Sequence, residues 1–360
     1  MDIGLLVRLL REPASMARLT PAEWDVLLRQ ARHASLLARL EALAHDTGVL
    51  EAAPARVRTR LESARIDVEQ QQRLIRWEVT RLRRVLAPLR VPVVLLKGAA
   101  YLHAELPAAR GRQFNDVDIL VPAEALGDVE AMLRGEGWVS TVSSAYDDRY
   151  YREWSHELPP MAHKDRQVVV DVHHNILPPT GRLRPDARLL LAAAHPLPES
   201  PLRVLAPEDM VLHCACHLFM SGELHKSLRD LGDLDALVRG FAGGAGFWPA
   251  LLERARALHV ERPLYYGLRF AERLFGTPVP APSRLAVARV APPAPVRAAM
   301  DTLVLAAMAP DQPARRRRGK GLALRLLTVR HHWLRMPPPL LATHLMRKSL
   351  KRLREVQQTG

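Results

Sequence analysis

The chain has 360 residues, of which 48% are hydrophobic and 25% charged. This ordinary composition can support a sizeable core without disulfides or structural metals. Two cysteines, Cys214 and Cys216, are too few for a disulfide framework and indicate a reducing compartment. The N-terminal stretch lacks the order of a secretory signal, and no apolar run reaches the about 18 residues of a membrane span. With a net charge of +14, these features predict a basic cytoplasmic protein.

Residues 1–88 are predicted to form an N-terminal helical region. Thr20 and Glu23 have the spacing of a helix N-cap and an acidic first turn, with Pro21 at the first helical position. A second, longer helix is predicted over residues 54–86, where apolar side chains recur at helical spacing among many charged ones.

Residues 89–185 are predicted to form a compact mixed unit of strands and helices. Short apolar, β-branched runs indicate buried strands, and a Lys-Asp-Arg turn at residues 164–166 indicates a hairpin. The predicted strands are residues 91–96, 117–121, 138–143, 157–163 and 167–173, and the predicted helices are residues 99–105 and 123–136.

The rest of the chain is predicted to be helical, as a C-terminal helical domain over residues 186–310 and a basic tail over residues 311–360 with an amphipathic helix after Pro339. The fold class is therefore α+β, with a small mixed sheet between N- and C-terminal helical regions. Residues 312–354 contain thirteen Lys or Arg and no Asp or Glu. Such a tail attracts polyanions, including RNA, anionic lipid and nucleotide phosphates. The excess of positive charge has an equally good alternative explanation: a genome that favours arginine, together with an ordinary solvated helix face.

The stretch from Asp116 to Val121 contains two acids in an otherwise apolar strand. Because strand side chains alternate between faces, Asp116 and Asp118 are predicted to point the same way. Two carboxylates held on one rigid face repel each other unless a cation or a proton lies between them. Mg²⁺ prefers such oxygen ligands beside substrate phosphates. An isolated pair of this kind is more often an acidic strand end or a turn.

Two neighbouring features favour a site. Asp171 is a third acid within an apolar strand, where a carboxylate is costly unless paired or metal-bound. Lys97 and Gly98 stand at a junction between strand and helix, where a glycine and free backbone N–H groups can approach a phosphate. Together these features predict a metal and phosphate site.

The stretch LKGAAYLHAELPAARGRQFNDVDILVP, with VVVDVHH after it, resembles the DNA polymerase beta-like nucleotidyltransferase superfamily. Within it, the chain resembles a bacterial family of uncharacterised nucleotidyltransferases. The resemblance covers roughly residues 90–240. It implies that Asp116, Asp118 and Asp171 hold Mg²⁺, or Mn²⁺ in its place, and act in catalysis. The matching positions Lys97, Gly98, Arg112 and His173 are implied to bind substrate. The superfamily usually has Gly-Ser or Gly-Gly after the first strand, so Lys97 is expected to replace the missing hydroxyl as a point charge.

The implied reaction is phosphoryl transfer assisted by two metal ions, in which an acceptor attacks the α-phosphorus of an NTP and pyrophosphate leaves. Asp171 is a candidate general base. The acceptor and the base of the NTP are not defined by the sequence. An enzyme that acts on RNA through the basic tail and a non-catalytic binding module are the alternatives.

Two other clusters are predicted not to form sites. The helix that carries His213, Cys214, Cys216 and His217 lacks zinc-finger spacing and a second cysteine pair, so it is predicted to be a buried helix. Ser155-His156-Glu157 has the letters of a nucleophilic triad, but neighbouring side chains on a strand point apart.

Overall fold

The computed structural model describes residues 4–114, 116–166, 168–220, 227–310 and 319–342. Its architecture confirms the α+β prediction, with helical regions before and after a mixed sheet. The helices are α1 Leu5–Arg11, α2 Pro21–His33, α3 Leu37–Asp46, α4 Ala55–Leu86, α5 Lys97–His103, α6 Leu126–Gly135, α7 Ala145–Trp154, α8 Ala187–Ala193, α9 Pro207–Met220, α10 Ser227–Phe241, α11 Phe247–Ala257, α12 Glu261–Phe275, α13 Ala281–Ala288, α14 Ala294–Met308 and α15 Lys320–Arg335. The strands are β1 Val94–Leu95, β2 Asp116–Leu120, β3 Trp138–Ser140, β4 Met161–His163, β5 Val169–His173, β6 His195–Pro196 and β7 Arg203–Val204.

Helix α2 begins where its capping residues predict. The Thr20 hydroxyl accepts a hydrogen bond from the Glu23 N–H, and the Glu23 carboxylate accepts one from the Thr20 N–H. This reciprocal capping box satisfies two N–H groups that a helix start otherwise leaves unpaired. The long helix α4 begins within a residue of its predicted start and ends at Leu86 as predicted.

The sheet has the strand order β3-β4-β5-β2-β1-β7-β6. Strand β2 is parallel to β5, and β1 is parallel to β7, while the other neighbours are antiparallel. The predicted hairpin is confirmed between β4 and β5. However, β4 is shorter than predicted, because the chain before Met161 is irregular apart from one bridge between Glu157 and His173.

Helix α9 connects the helical C-terminal part to the sheet region. It packs against α10, α11 and α12 and also contacts α5. Apolar side chains from Leu6 to Leu327 form one continuous core. The predicted boundaries at residues 88, 185 and 310 stay predictions. Much of the predicted basic tail, including its amphipathic helix, lies outside the described residues. Among the helices that are described, none is long and apolar enough to span a membrane.

Candidate active site

The parallel pair of strands β2 and β5 brings three aspartates to one face of the sheet. Asp116 and Asp118 share a face of β2, while Val117 and Ile119 on the opposite face are fully buried. Asp171 lies directly opposite Asp118 in the neighbouring strand, and directly opposite residues share a face. The sheet register therefore assembles the three acids from separate parts of the sequence.

Lys97 lies against this carboxylate cluster. It stands where β1 passes into α5, in the left-handed region with φ +44°, and its Nζ is 2.6 Å from Asp118 Oδ1. Burial by itself disfavours the ammonium, but the charges of Asp118 and Asp116 outweigh this and raise the pKa of Lys97. Lys97 is therefore a fixed positive charge at the site.

Asp118 is ionised and almost fully enclosed, with 2% of its surface exposed. Its Oδ1 accepts hydrogen bonds from the Lys97 ammonium and from His173 Nε2, the latter at 2.9 Å. Burial opposes ionisation, yet Lys97 and then His173 hold the pKa of Asp118 well below its usual range. The carboxylate thus carries its charge without solvent because two neighbours compensate it.

Asp171 has the opposite electrostatic environment. Burial, followed by the charges of Asp118 and Glu157, raises its pKa to about 8. Its Oδ1 is buried and accepts no hydrogen bond from the residues that the structure describes. An orphaned carboxylate oxygen beside two further aspartates suits a hard divalent cation, which would displace the proton.

The variant Asp171→Asn is expected to remove a pH dependence of stability in chelator-treated protein. An acid whose pKa rises from its ordinary 3.8 to about 8 on folding binds its proton more tightly when folded. Wild-type stability therefore falls as the pH rises through this window. Asparagine cannot ionise, so the advantage of the variant should grow by at most about 1.4 kcal/mol per pH unit.

Urea unfolding at pH 5 and pH 8 measures this difference. The exposed Asp67 on α4 provides the matched control Asp67→Asn, which should follow the wild type at both pH values. Parallel stability curves for wild type and Asp171→Asn would contradict the environment described for this carboxyl.

His173 lies between two carboxylates. It is 1% exposed, and its Nε2 contacts Asp118 while its Nδ1 is 3.3 Å from Glu157 Oε2. Burial alone would lower its pKa, but the hydrogen bond to Asp118 and the charge of Glu157 outweigh it and raise the pKa of His173. His173 is therefore held by the cluster from both sides of its ring.

Arg112 is buried, and its guanidinium forms an ion pair with an acid outside the aspartate cluster. Its Nε is 2.7 Å from Asp233 Oδ2, and Asp233 Oδ1 also contacts Arg39 at 2.8 Å. A side chain at Gly98 would place its Cβ 2.3 Å from Arg112 Nη1. Gly98 thus makes room for the guanidinium, a role that the sequence did not indicate. Phosphate binding by Arg112 and Gly98 stays a prediction.

A cavity of about 220 Å³ opens beside the aspartates. Residues far apart in sequence line it, including Lys97, Asp116, Asp171, His217, Arg229 and Arg335. Arg229 is paired with Asp230, and Arg335 donates to Ser155 Oγ at 3.1 Å. The cavity therefore has carboxylates on the sheet side and cationic groups from the C-terminal helices around it, an arrangement that suits a phosphorylated ligand with bound cations.

Four residues beside the aspartates were not predicted as site residues: His156, Glu157, Arg229 and Arg335. The first two belong to the triplet that strand alternation argued against, but the chain bends at residues 155–156, and both side chains come close to His173. For Arg229 and Arg335 no local signal existed, since only the packing of α10 and α15 brings them to the cavity. The buried-helix prediction is confirmed in α9, where His217 alone among residues 213–217 is partly exposed.

The α+β fold and this carboxylate-lined cavity are those that the resemblance to nucleotidyltransferases implies. A family model described as "Uncharacterised nucleotidyltransferase" matches residues 20–276, and the chain belongs to this family. No curated protein and no solved structure matches the chain. Family membership supports a generic nucleotidyl transfer activity, and α13, α14 and α15 lie beyond the matched region.

Proposed function

We propose that this protein is a Mg²⁺-dependent nucleotidyltransferase that moves a nucleoside monophosphate from an NTP to an acceptor hydroxyl or phosphate. The observation that carries the proposal is the convergence of Asp116, Asp118 and Asp171 on one sheet face in a chain of the nucleotidyltransferase family. Strand-borne carboxylates are held rigidly, which suits catalysis by positioned charge.

The donor set fits a hard divalent cation. Asp116 and Asp171 line the cavity next to the buried Asp118, and Asp171 offers a buried oxygen without a hydrogen-bond partner among the described residues. Mg²⁺, or Mn²⁺ in its place, prefers oxygen ligands of this kind. When bound, the ions would neutralise the triphosphate and increase the acidity of the acceptor.

Residues of the chain position the reacting groups and accept the proton. The acceptor oxygen forms a bond to the α-phosphorus, the bond from that phosphorus to the β-phosphate oxygen breaks, and pyrophosphate leaves. Once a bound cation has displaced its own proton, Asp171 is a carboxylate on the cavity wall and takes the proton of an acceptor hydroxyl. Lys97 holds Asp118 in place and adds positive charge where the phosphates lie.

A polyanionic acceptor, RNA in particular, is the second candidate. The observation that favours it is α15, which begins the described part of the basic tail and brings Arg335 to the cavity. An RNA acceptor should bind with a steep salt dependence, because Lys and Arg contacts to phosphates release counterions.

The test is to incubate the full chain with each of the four NTPs, labelled on the α-phosphate, together with Mg²⁺ and cell extract. Pyrophosphate release, with label appearing in an RNA, protein or small-molecule fraction, is the expected result. Chelation of the divalent ions should abolish it. Nucleotide binding with no release of pyrophosphate would indicate a non-catalytic binding module, and release of orthophosphate would indicate a different reaction.

A further inference from the structure

His156, Glu157 and His173 form a second cluster of potential metal ligands beside the aspartates. One ligand atom from each lies within 4.8 Å of the other two. Two imidazoles and one carboxylate differ in kind from the three aspartates, because imidazole nitrogen favours zinc and related transition ions over Mg²⁺. We propose that this cluster is a separate binding site for a divalent transition metal of the zinc type.

The orientation of His173 supports a metal-facing nitrogen. Its Nε2 is 2.9 Å from Asp118 Oδ1, and a carboxylate at this position accepts the Nε2–H and so leaves the Nδ1 lone pair on the other side of the ring. Metal-binding histidines usually have such a carboxylate behind them, which fixes the ring and its tautomer. His173 is 1% exposed, so its nitrogen cannot turn to water instead.

Two buried ring nitrogens of this cluster lack hydrogen-bond partners among the described residues. Nδ1 of His173 makes no hydrogen bond with the described residues, although Glu157 Oε2 is 3.3 Å away. Nδ1 of His156 is likewise buried without a hydrogen bond. A buried lone pair and a carboxylate oxygen at this distance are unfavourable neighbours unless a proton or a metal ion lies between them, and a bound metal ion would displace the proton.

The spacing also suits zinc. Ligand atoms about 2.0–2.1 Å from a tetrahedral ion are about 3.3 Å from one another, which is the distance that already separates His173 Nδ1 and Glu157 Oε2. The ligand atom of His156, which lies within 4.8 Å of the other two, must then move closer for all three to bind one ion. Three protein ligands leave the fourth position open, and all three residues line the cavity, so a water or an oxygen of a bound ligand can take that position.

The local chain geometry explains how adjacent residues reach one ion. A regular strand would direct His156 and Glu157 to opposite faces. Here the chain bends at residues 155–156 before pairing with β5, where His174 N–H donates to His156 O and Leu158 N–H donates to Val172 O. These backbone bonds hold the bend beside His173.

Zinc titration of the chelator-stripped full chain, followed by calorimetry without nucleotide, tests the site. One zinc ion per chain should bind at this cluster more tightly than any that binds at the aspartates. His156→Asn and Glu157→Gln should each weaken binding by more than about 100-fold, because loss of an outer partner alone costs about 10–100-fold. His195→Asn, at an exposed histidine, and Asp116→Asn, at the aspartate cluster, should bind zinc within a few-fold of wild type.

Two results would overturn the proposal: wild type that binds zinc no better than His156→Asn, or Asp116→Asn that loses zinc as strongly as His156→Asn does. Loss of zinc binding in Glu157→Gln would not be due to misfolding, because Glu157 is partly exposed and glutamine keeps the shape of the side chain. Cobalt in place of zinc adds a spectroscopic check, as its visible absorption should change in Glu157→Gln and persist in Asp116→Asn. Because no nucleotide is present, the outcome is independent of the transfer activity.

Discussion

Asp116→Asn is expected to lower the rate of pyrophosphate release at least about 1000-fold while leaving the fold intact. Charge stabilisation by a catalytic ion contributes several kcal/mol to the transition state, and each 1.36 kcal/mol corresponds to about tenfold in rate. An amide in place of this carboxylate removes one anionic ligand. Asp116 is only partly buried, so its free energy of unfolding should change by less than about 1 kcal/mol.

Asp67→Asn provides the matched control for this experiment, since it makes the same chemical change on the exposed side of α4. It should retain the wild-type rate. Rates are to be measured by coupled pyrophosphate detection, with urea unfolding of each variant in parallel. An Asp116→Asn protein that is folded and turns over NTP at the wild-type rate would remove this aspartate from the catalytic site.

The arrangement of Asp116 and Asp118 was predictable because it depends on local geometry. Strand alternation alone places them together, and the apolar residues between and after them identify the buried face. The position of Asp171 beside them was an expectation from resemblance, since parallel pairing of β2 with β5 spans a long connection. No local rule fixes that register.

The ion-pair partners of the basic side chains were not predictable either, because they too depend on contacts between distant segments. Arg112, in the loop before β2, pairs with Asp233 in α10, and a buried ion pair between two segments so far apart in the sequence has no signature in either of them. Sequence reasoning therefore assigned Arg112 to phosphate, with a surface ion pair as the alternative, and could not identify Asp233 as a partner. The bend before Glu157 was missed in the same way, because a pattern typical of a strand does not reveal where pairing ends.

The contact between Lys97 and Asp118 has a consequence for metal binding. The ammonium and a divalent ion both require the charge of this carboxylate, and the Nζ already lies 2.6 Å from Oδ1. Lys97 therefore stabilises the metal-free cluster and competes with a metal for Asp118. A positively charged residue among the acids does not exclude a metal; it lowers the cost of keeping three carboxylates together until one binds.

Lys97→Met should accordingly be less stable than wild type by about 3–5 kcal/mol in the absence of divalent ions, which is the usual effect of removing one partner of a buried ion pair. Methionine keeps much of the apolar stem but leaves Asp118 beside Asp171 without the ammonium. Added Mg²⁺ should raise the melting temperature of Lys97→Met more than that of wild type, because binding stabilises by mass action and the variant has no competing ammonium.

Thermal unfolding with and without Mg²⁺ measures both effects. Lys164→Met, at an exposed lysine in the β4–β5 turn, controls for the loss of a charge. This control should match wild type. In the double variant Asp116→Asn, Lys97→Met the additional response to Mg²⁺ should shrink, since a metal then finds one carboxylate fewer. An equal Mg²⁺ response in wild type and Lys97→Met would mean that the ammonium and the ion do not share Asp118. The metal would then have to bind away from the carboxylate that β2 and β5 place at the centre of the cluster.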